Sequence, residues 1–167
     1  MPTIKLQFSL IVAMTVLVLV SLLHAQSKEA AMPGHASGPF EVKITPQENK
    51  LNDGISRMLL DKQFHGRLEG TSKGQMLAAG SAKSSGVYVA IETFTGTLQT
   101  ASGAKKSGSF SLHHTGIMAS GAPELDIRVV PGSGTGQLAG ITGKMKIIIA
   151  ADGKHSYDFE YTLPAVQ

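Results

Sequence analysis

No cysteine occurs anywhere in the 167 residues. Disulfides, thiolate metal ligands and cysteine nucleophiles are therefore excluded, and the fold must rest on its core and its backbone pairing. A lipoprotein anchor is excluded for the same reason. Charge is sparse and nearly balanced, with 15 Lys and Arg against 12 Asp and Glu, for a net charge of +3. The one basic doublet is Lys105-Lys106. A balance this small and scattered argues against nucleic acid as a partner. Helical periodicity is also missing once the N-terminal apolar stretch has ended.

That stretch reads as a secretory signal. Lys5 supplies the positive region, Leu6 to Leu23 is mostly apolar, and Ala25 precedes a plausible cleavage point. The apolar run is at the short end for a bilayer span, so cleavage is expected rather than stable membrane insertion. The mature chain is then a secreted or periplasmic protein. Residues 26–38 are small and polar and are broken by Pro33-Gly34, which predicts a flexible leader. A single domain is expected over residues 39–167.

From Phe40 the hydrophobic period is near two. Phe40, Val42 and Ile44 alternate with Glu41 and Lys43, and Met58, Leu60, Phe64 and Leu68 share one face of a long second strand. Further strands are expected over 73–79, 86–100, 107–118, 125–130, 144–151 and 154–163. Asp152-Gly153 reads as a two-residue hairpin turn. Eight antiparallel strands joined by Gly-rich turns predict an all-β chain, either a closed barrel or a sandwich. Phe64-x-Gly66-x-Leu68 recurs as Phe94-x-Gly96-x-Leu98, suggesting one repeated strand design.

Residues 129–143 carry Gly132, Gly134, Gly136, Gly140 and Gly143 behind Pro131. Gly134 to Ala139 fits G-x-G-x-x-A, and Asp152 stands about where a ribose-binding acid would. That motif needs a helix N-terminus for the pyrophosphate. Gly140 and Gly143 leave room for only about one turn of helix. A P-loop fails because Met145 follows Gly143-Lys144 where Ser or Thr is required. The stretch is read as a structural corner, and no cofactor is expected.

The segments F-H-G-R-L-E-G (64–70), F-T-G-T-L (94–98), G-S-F-S-L-H-H-T-G (108–116), V-V-P-G-S-G-T-G-Q-L-A-G (129–140) and S-Y-D-F-E-Y (156–161) occur in that order. Together they resemble a bacterial family of small proteins known only as a domain of unknown function. That family is similar in fold to the allene oxide cyclase and dirigent barrels. The resemblance spans about residues 39–163. It implies an eight-stranded antiparallel barrel with an apolar interior, a small apolar ligand as partner, and a homo-oligomer. It implies no reaction.

Glu92 and His114 are the candidate catalytic pair. Folding the fourth and fifth strands about Gly103 sets them directly opposite one another, on a face with Tyr88, Phe94, Phe110 and Leu112. Burial favours the neutral forms and mutual attraction the charged ones, so such a pair can perform acid–base chemistry. The bland alternative is a polar pair satisfying itself inside a barrel. Lys62 shares parity with Leu60 and Phe64, and is expected inside or snorkelling to the rim. Phe64, Tyr157 and Tyr161 complete the expected ligand-binding set, although an aromatic stripe is more often core. His113 faces away from His114, and His65 and His155 lack metal-ligand spacing, so no metal site is expected. Val87, Val89 and Ile91 form a second apolar face on the fourth strand, which hints at an oligomer interface.

Overall fold

A computed structural model describes residues 32–48, 50, 54–81, 85–119 and 124–164. The signal segment and the start of the leader lie outside the described residues. The strands are β1 (Met32–Gln47), β2 (Ile55–Phe64), β3 (Leu68–Ser81), β4 (Ser85–Gln99), β5 (Lys105–Met118), β6 (Glu124–Val129), β7 (Thr142–Ile149) and β8 (His155–Leu163). Each pairs antiparallel with the next, and β1 pairs with β8 to close the barrel.

Alternation decides which side chains face inward. On β4, Ala90, Glu92, Phe94 and Leu98 are buried, while Val89 and Ile91, on either side of Ala90, are exposed. The same parity puts Phe110, Leu112 and His114 inside on β5. This is the period-two pattern of a sheet with one wet face.

Five local expectations need correction. β1 begins at Met32, so residues 32–38 are barrel strand paired with β8, not leader. Gly34 and Gly38 lack side chains because a Cβ there would fall 2.2 Å from the Tyr161 ring and 2.0 Å from the His65 carbonyl oxygen. The second strand stops at Phe64, and Leu68 opens β3. Gly66 sits in that hairpin at φ +96, whereas Gly96 lies within β4, so the repeated F-x-G-x-L segments are not equivalent strands.

The last two corrections concern turns. The β7–β8 loop has three residues, Ala151 to Gly153, closed by bonds between Ala150 and Lys154. Gly153 takes φ +83 at its third position, the usual three-residue hairpin with a glycine bulge. The β4–β5 turn is built alike: Thr100 and Ala104 close it, and Gly103 (φ +85) ends the loop rather than centring it. The register is therefore Ala90↔His114 and Glu92↔Leu112. Glu92 and His114 are diagonal neighbours, not opposite ones. The shift is two residues, so both remain on the inner face.

The glycine corner after β6 replaces a strand. β6 pairs with β5 only over Leu112–Ile117. Ser107, Ser109 and Ser111 then receive their partners from the corner. Ser107 N–H donates to Gln137 Oε1 (2.9 Å), Ser109 N–H to Thr135 Oγ1 (3.1 Å) and Ser111 N–H to Ser133 Oγ (3.0 Å). The corner's 3-10 turn, Gly136–Leu138, is three residues long and offers no helix N-terminus to a dinucleotide. Leu138 and Ile141 descend from it, fully buried, and plug one end of the barrel.

Candidate functional site

The barrel interior is layered. Above the Leu138–Ile141 plug lies a chain of rings: Phe64, Phe94, Phe110 and Phe159 follow one another at centroid distances of 5.7, 5.2 and 5.5 Å. Phe40 stacks on Phe64 at 5.3 Å. Tyr157 joins this layer, and its hydroxyl is spent on backbone: it accepts from Leu68 N–H (2.7 Å) and donates to the His65 carbonyl (3.1 Å). Tyr161 and Leu112 are likewise packed in the core.

A polar layer follows. Glu92, 1% exposed, is its centre. Lys62 Nζ donates to its Oε1 at 2.7 Å, and Ser72 Oγ donates to its Oε2 at 2.7 Å. The reach to Lys62 crosses β3, and Gly74 permits it: a Cβ there would stand 2.5 Å from the Glu92 Cβ. His114 Nε2 lies 3.0 Å from Oε1, but its N–H is not aimed along that line, so the contact is electrostatic rather than a well-formed hydrogen bond. Lys62 also stands 5.3 Å from the Phe40 ring centroid, within cation–π range.

Burial by itself would push the Glu92 carboxyl up. The His114 contact and the Lys62 ammonium outweigh it and bring the group down from 4.5 to about 2. Glu92 is therefore an ionised, partnered carboxylate. Tyr88 moves the other way: burial, and then the Glu92 charge, raise its phenol.

Beyond the polar layer the described residues leave the barrel unfilled. A cavity of about 400 Å³ extends toward the end at which β1 connects to β2, β3 to β4 and β5 to β6. Its walls include Met58, Met76, Met118, Leu125, Ile147 and Ile149, and its polar lining includes Lys62, Tyr88, His114 and His155. Of the ligand-binding residues expected from sequence, Lys62 and Tyr88 line this space. Phe64, Phe94, Phe110, Leu112, Tyr157 and Tyr161 do not; they fill the packed half. Of the catalytic pair, His114 lines the cavity and Glu92 stands behind it.

Ser72 and the methionine wall escaped the sequence reading. Met58 and Met76 are direct cross-strand partners. Even parity on β3 would have exposed both Ser72 and Met76, had the strand been started at Leu68. Among the described residues, no group of three or more His, Asp or Glu side chains is arranged to hold a metal ion. No helix among them is long and apolar enough to cross a membrane.

Residues 36–161 match the family described as "Protein of unknown function (DUF3224)". The chain belongs to the DUF3224 family. A crystal structure of a DUF3224 protein of unknown function from Shewanella oneidensis MR-1 is 41% identical and superposes with a TM-score of 0.70. That alignment covers 81% of this chain and all of the other. No curated protein matches. The DUF3224 match begins at Ala36, inside β1, which agrees with a barrel strand in the region expected to be leader.

Proposed function

We propose that this DUF3224 chain is exported and binds a small apolar or amphipathic molecule inside its barrel. One observation carries the binding reading. An eight-stranded barrel can be filled by its own side chains, yet here the described residues fill only one half. The other half is a cavity of about 400 Å³ with an apolar wall and a buried ionic floor. Such a space lies within the range of small-molecule sites, where a few polar groups orient a mostly apolar ligand. Methionine walls adapt to irregular ligand shapes. The export reading rests on the N-terminal signal sequence alone.

An isomerase, cyclase or hydrolase acting through Glu92 and His114 is the weaker reading. A carboxylate held near 2 by the His114 contact and the Lys62 ammonium is a poor proton acceptor at neutral pH, and Glu92 does not line the cavity.

Titration with N-phenyl-1-naphthylamine, a neutral apolar fluorophore, tests the binding reading. Blue-shifted emission with saturable binding is expected, and Ala78→Trp, which fills the cavity from β3, removes it. Saturable binding that survives Ala78→Trp unchanged would move the site elsewhere. Intact mass of protein recovered from a bacterial host reports whether the chain begins at Gln26.

A further inference from the structure

The cavity floor carries polar capacity that the protein leaves unused. The Lys62 ammonium has three N–H donors, and its one hydrogen bond among the described residues goes to Glu92. His114 turns Nε2 toward the Glu92 carboxylate at 3.0 Å, where that nitrogen is cut off from solvent. A ring nitrogen facing a carboxylate carries the proton. The neutral ring then presents Nδ1 unprotonated, with no protein hydrogen bond to it among the described residues. The Tyr88 hydroxyl, on the same cavity wall, also has no protein partner among them.

The groups facing His114 can be named strand by strand. β2 brings Lys62, and β4 brings Glu92 and Tyr88. β8 brings His155 to the cavity wall. β6 brings only apolar Leu125, Ile127 and Val129 inward. Lys62 and Glu92 cancel one another, so with a neutral His114 the floor has no net charge. It offers an N–H donor at Lys62 and an acceptor at His114 Nδ1, from strands on either side of Glu92. A carboxylate has two oxygens and meets both once Nδ1 carries a proton.

We propose that the cavity takes a compact organic monocarboxylate, held with its carboxylate inward between Lys62 and His114, and that His114 takes up a proton as the ligand enters. The proton comes from solvent and binds Nδ1. The imidazolium then offsets the ligand's charge, and the floor remains neutral overall. An isolated carboxylate buried without such compensation would be strongly disfavoured. The apolar body of the ligand lies against Met58, Met76 and Met118. A cavity of about 400 Å³ suits a short chain or single ring, not a long acyl chain.

This inference rests on the interior-binding reading, and calorimetry separates the two. Octanoate and 1-octanol, matched in chain length, are titrated into the full-length mature protein at pH 7. Each titration is repeated in two buffers of different ionisation enthalpy. Octanoate is expected to bind at least about tenfold more tightly than octanol, with uptake of about one proton. His114→Gln abolishes the uptake. The double variant Lys62→Met/Glu92→Leu, which leaves no unpaired charge, loses the preference but still binds octanol. Octanol binding as tightly as octanoate, or octanoate binding without proton uptake, overturns the carboxylate assignment. So does naphthylamine binding when neither eight-carbon ligand binds; in all three cases interior binding stands. Failure of all three molecules to bind overturns both.

Discussion

Lys62 Nζ and Glu92 Oε1 lie 2.7 Å apart inside the barrel, between a packed layer of aromatic rings and a mostly apolar cavity. Both side chains are almost wholly withdrawn from solvent. Removing one charge strands the other, which typically costs about 3–5 kcal/mol, whereas replacing both with apolar groups is often neutral. Lys62→Met is expected to lose stability in that range, and Lys62→Met/Glu92→Leu to regain most of it. Urea denaturation midpoints decide the matter; a single variant as stable as the double would mean that the pair contributes nothing.

The Glu92 carboxyl sits near 2 in the folded chain against an ordinary 4.5. Between those values the unfolded chain binds the proton and the folded chain does not, so stability rises with pH across that window. The contribution is fully present above about pH 5 and is lost as pH falls toward 2, an effect on the order of 3 kcal/mol. Glu92→Gln should flatten this part of the profile. Thermal melts of both proteins from pH 7 down to pH 2 would show it; parallel curves would refute the assignment.

Tyr157 joins β8 to the β2–β3 hairpin through its hydroxyl, which accepts from Leu68 N–H and donates to the His65 carbonyl. Tyr157→Phe keeps the ring in its place between the aromatic neighbours but leaves a buried N–H without a partner. The expected loss is about 1–3 kcal/mol. Amide exchange at Leu68 should accelerate more than exchange on β5, and a uniform change would argue against this local role.

The outer face supports a proposal about assembly. Val87, Val89 and Ile91 on β4 are flanked by Leu77 on β3 and Ile117 on β5, and Ile91 is 62% exposed. A contiguous patch of this kind on the wet side of a sheet favours contact with a second copy of the chain. Val89→Lys/Ile91→Lys is expected to shift sedimentation to the monomer without changing the melting temperature of the monomer. Wild-type protein that sediments as a monomer at micromolar concentration would contradict the proposal.

Parity was the legible part of this sequence. Burial leaves its mark on every second residue, so the inward placement of Glu92 and His114 survived an error in their pairing. Register was less legible, because it depends on where a glycine sits within a turn: Gly103 ends its loop, and taking it as the centre moved every partner by two. Strand limits failed where glycine serves the sheet. Gly34 and Gly38 look like leader residues, yet each makes room for a neighbour that only the closed barrel brings near. Ser72 stands just before the alternating stretch 73–79, so the pattern alone leaves it out of β3, which begins at Leu68. The empty half of the interior left no local mark. Cavities arise from the sum of side-chain volumes across several strands, and no single segment records that sum.

The seam between β1 and β8 runs from Met32↔Leu163 to Phe40↔His155. It joins the first strand of the barrel to the last. A ribosome or a translocation channel delivers these partners at opposite ends of the process. Until β8 emerges, β1 has one bare edge, and the sheet is an open ribbon with half its aromatic layer wet. Contacts of such long sequence separation make folding slow, and a bare edge invites pairing with other chains. The barrel therefore stays open until β8 has been made, and a chaperone or a crowded neighbour has that whole interval in which to reach the unpaired strand first.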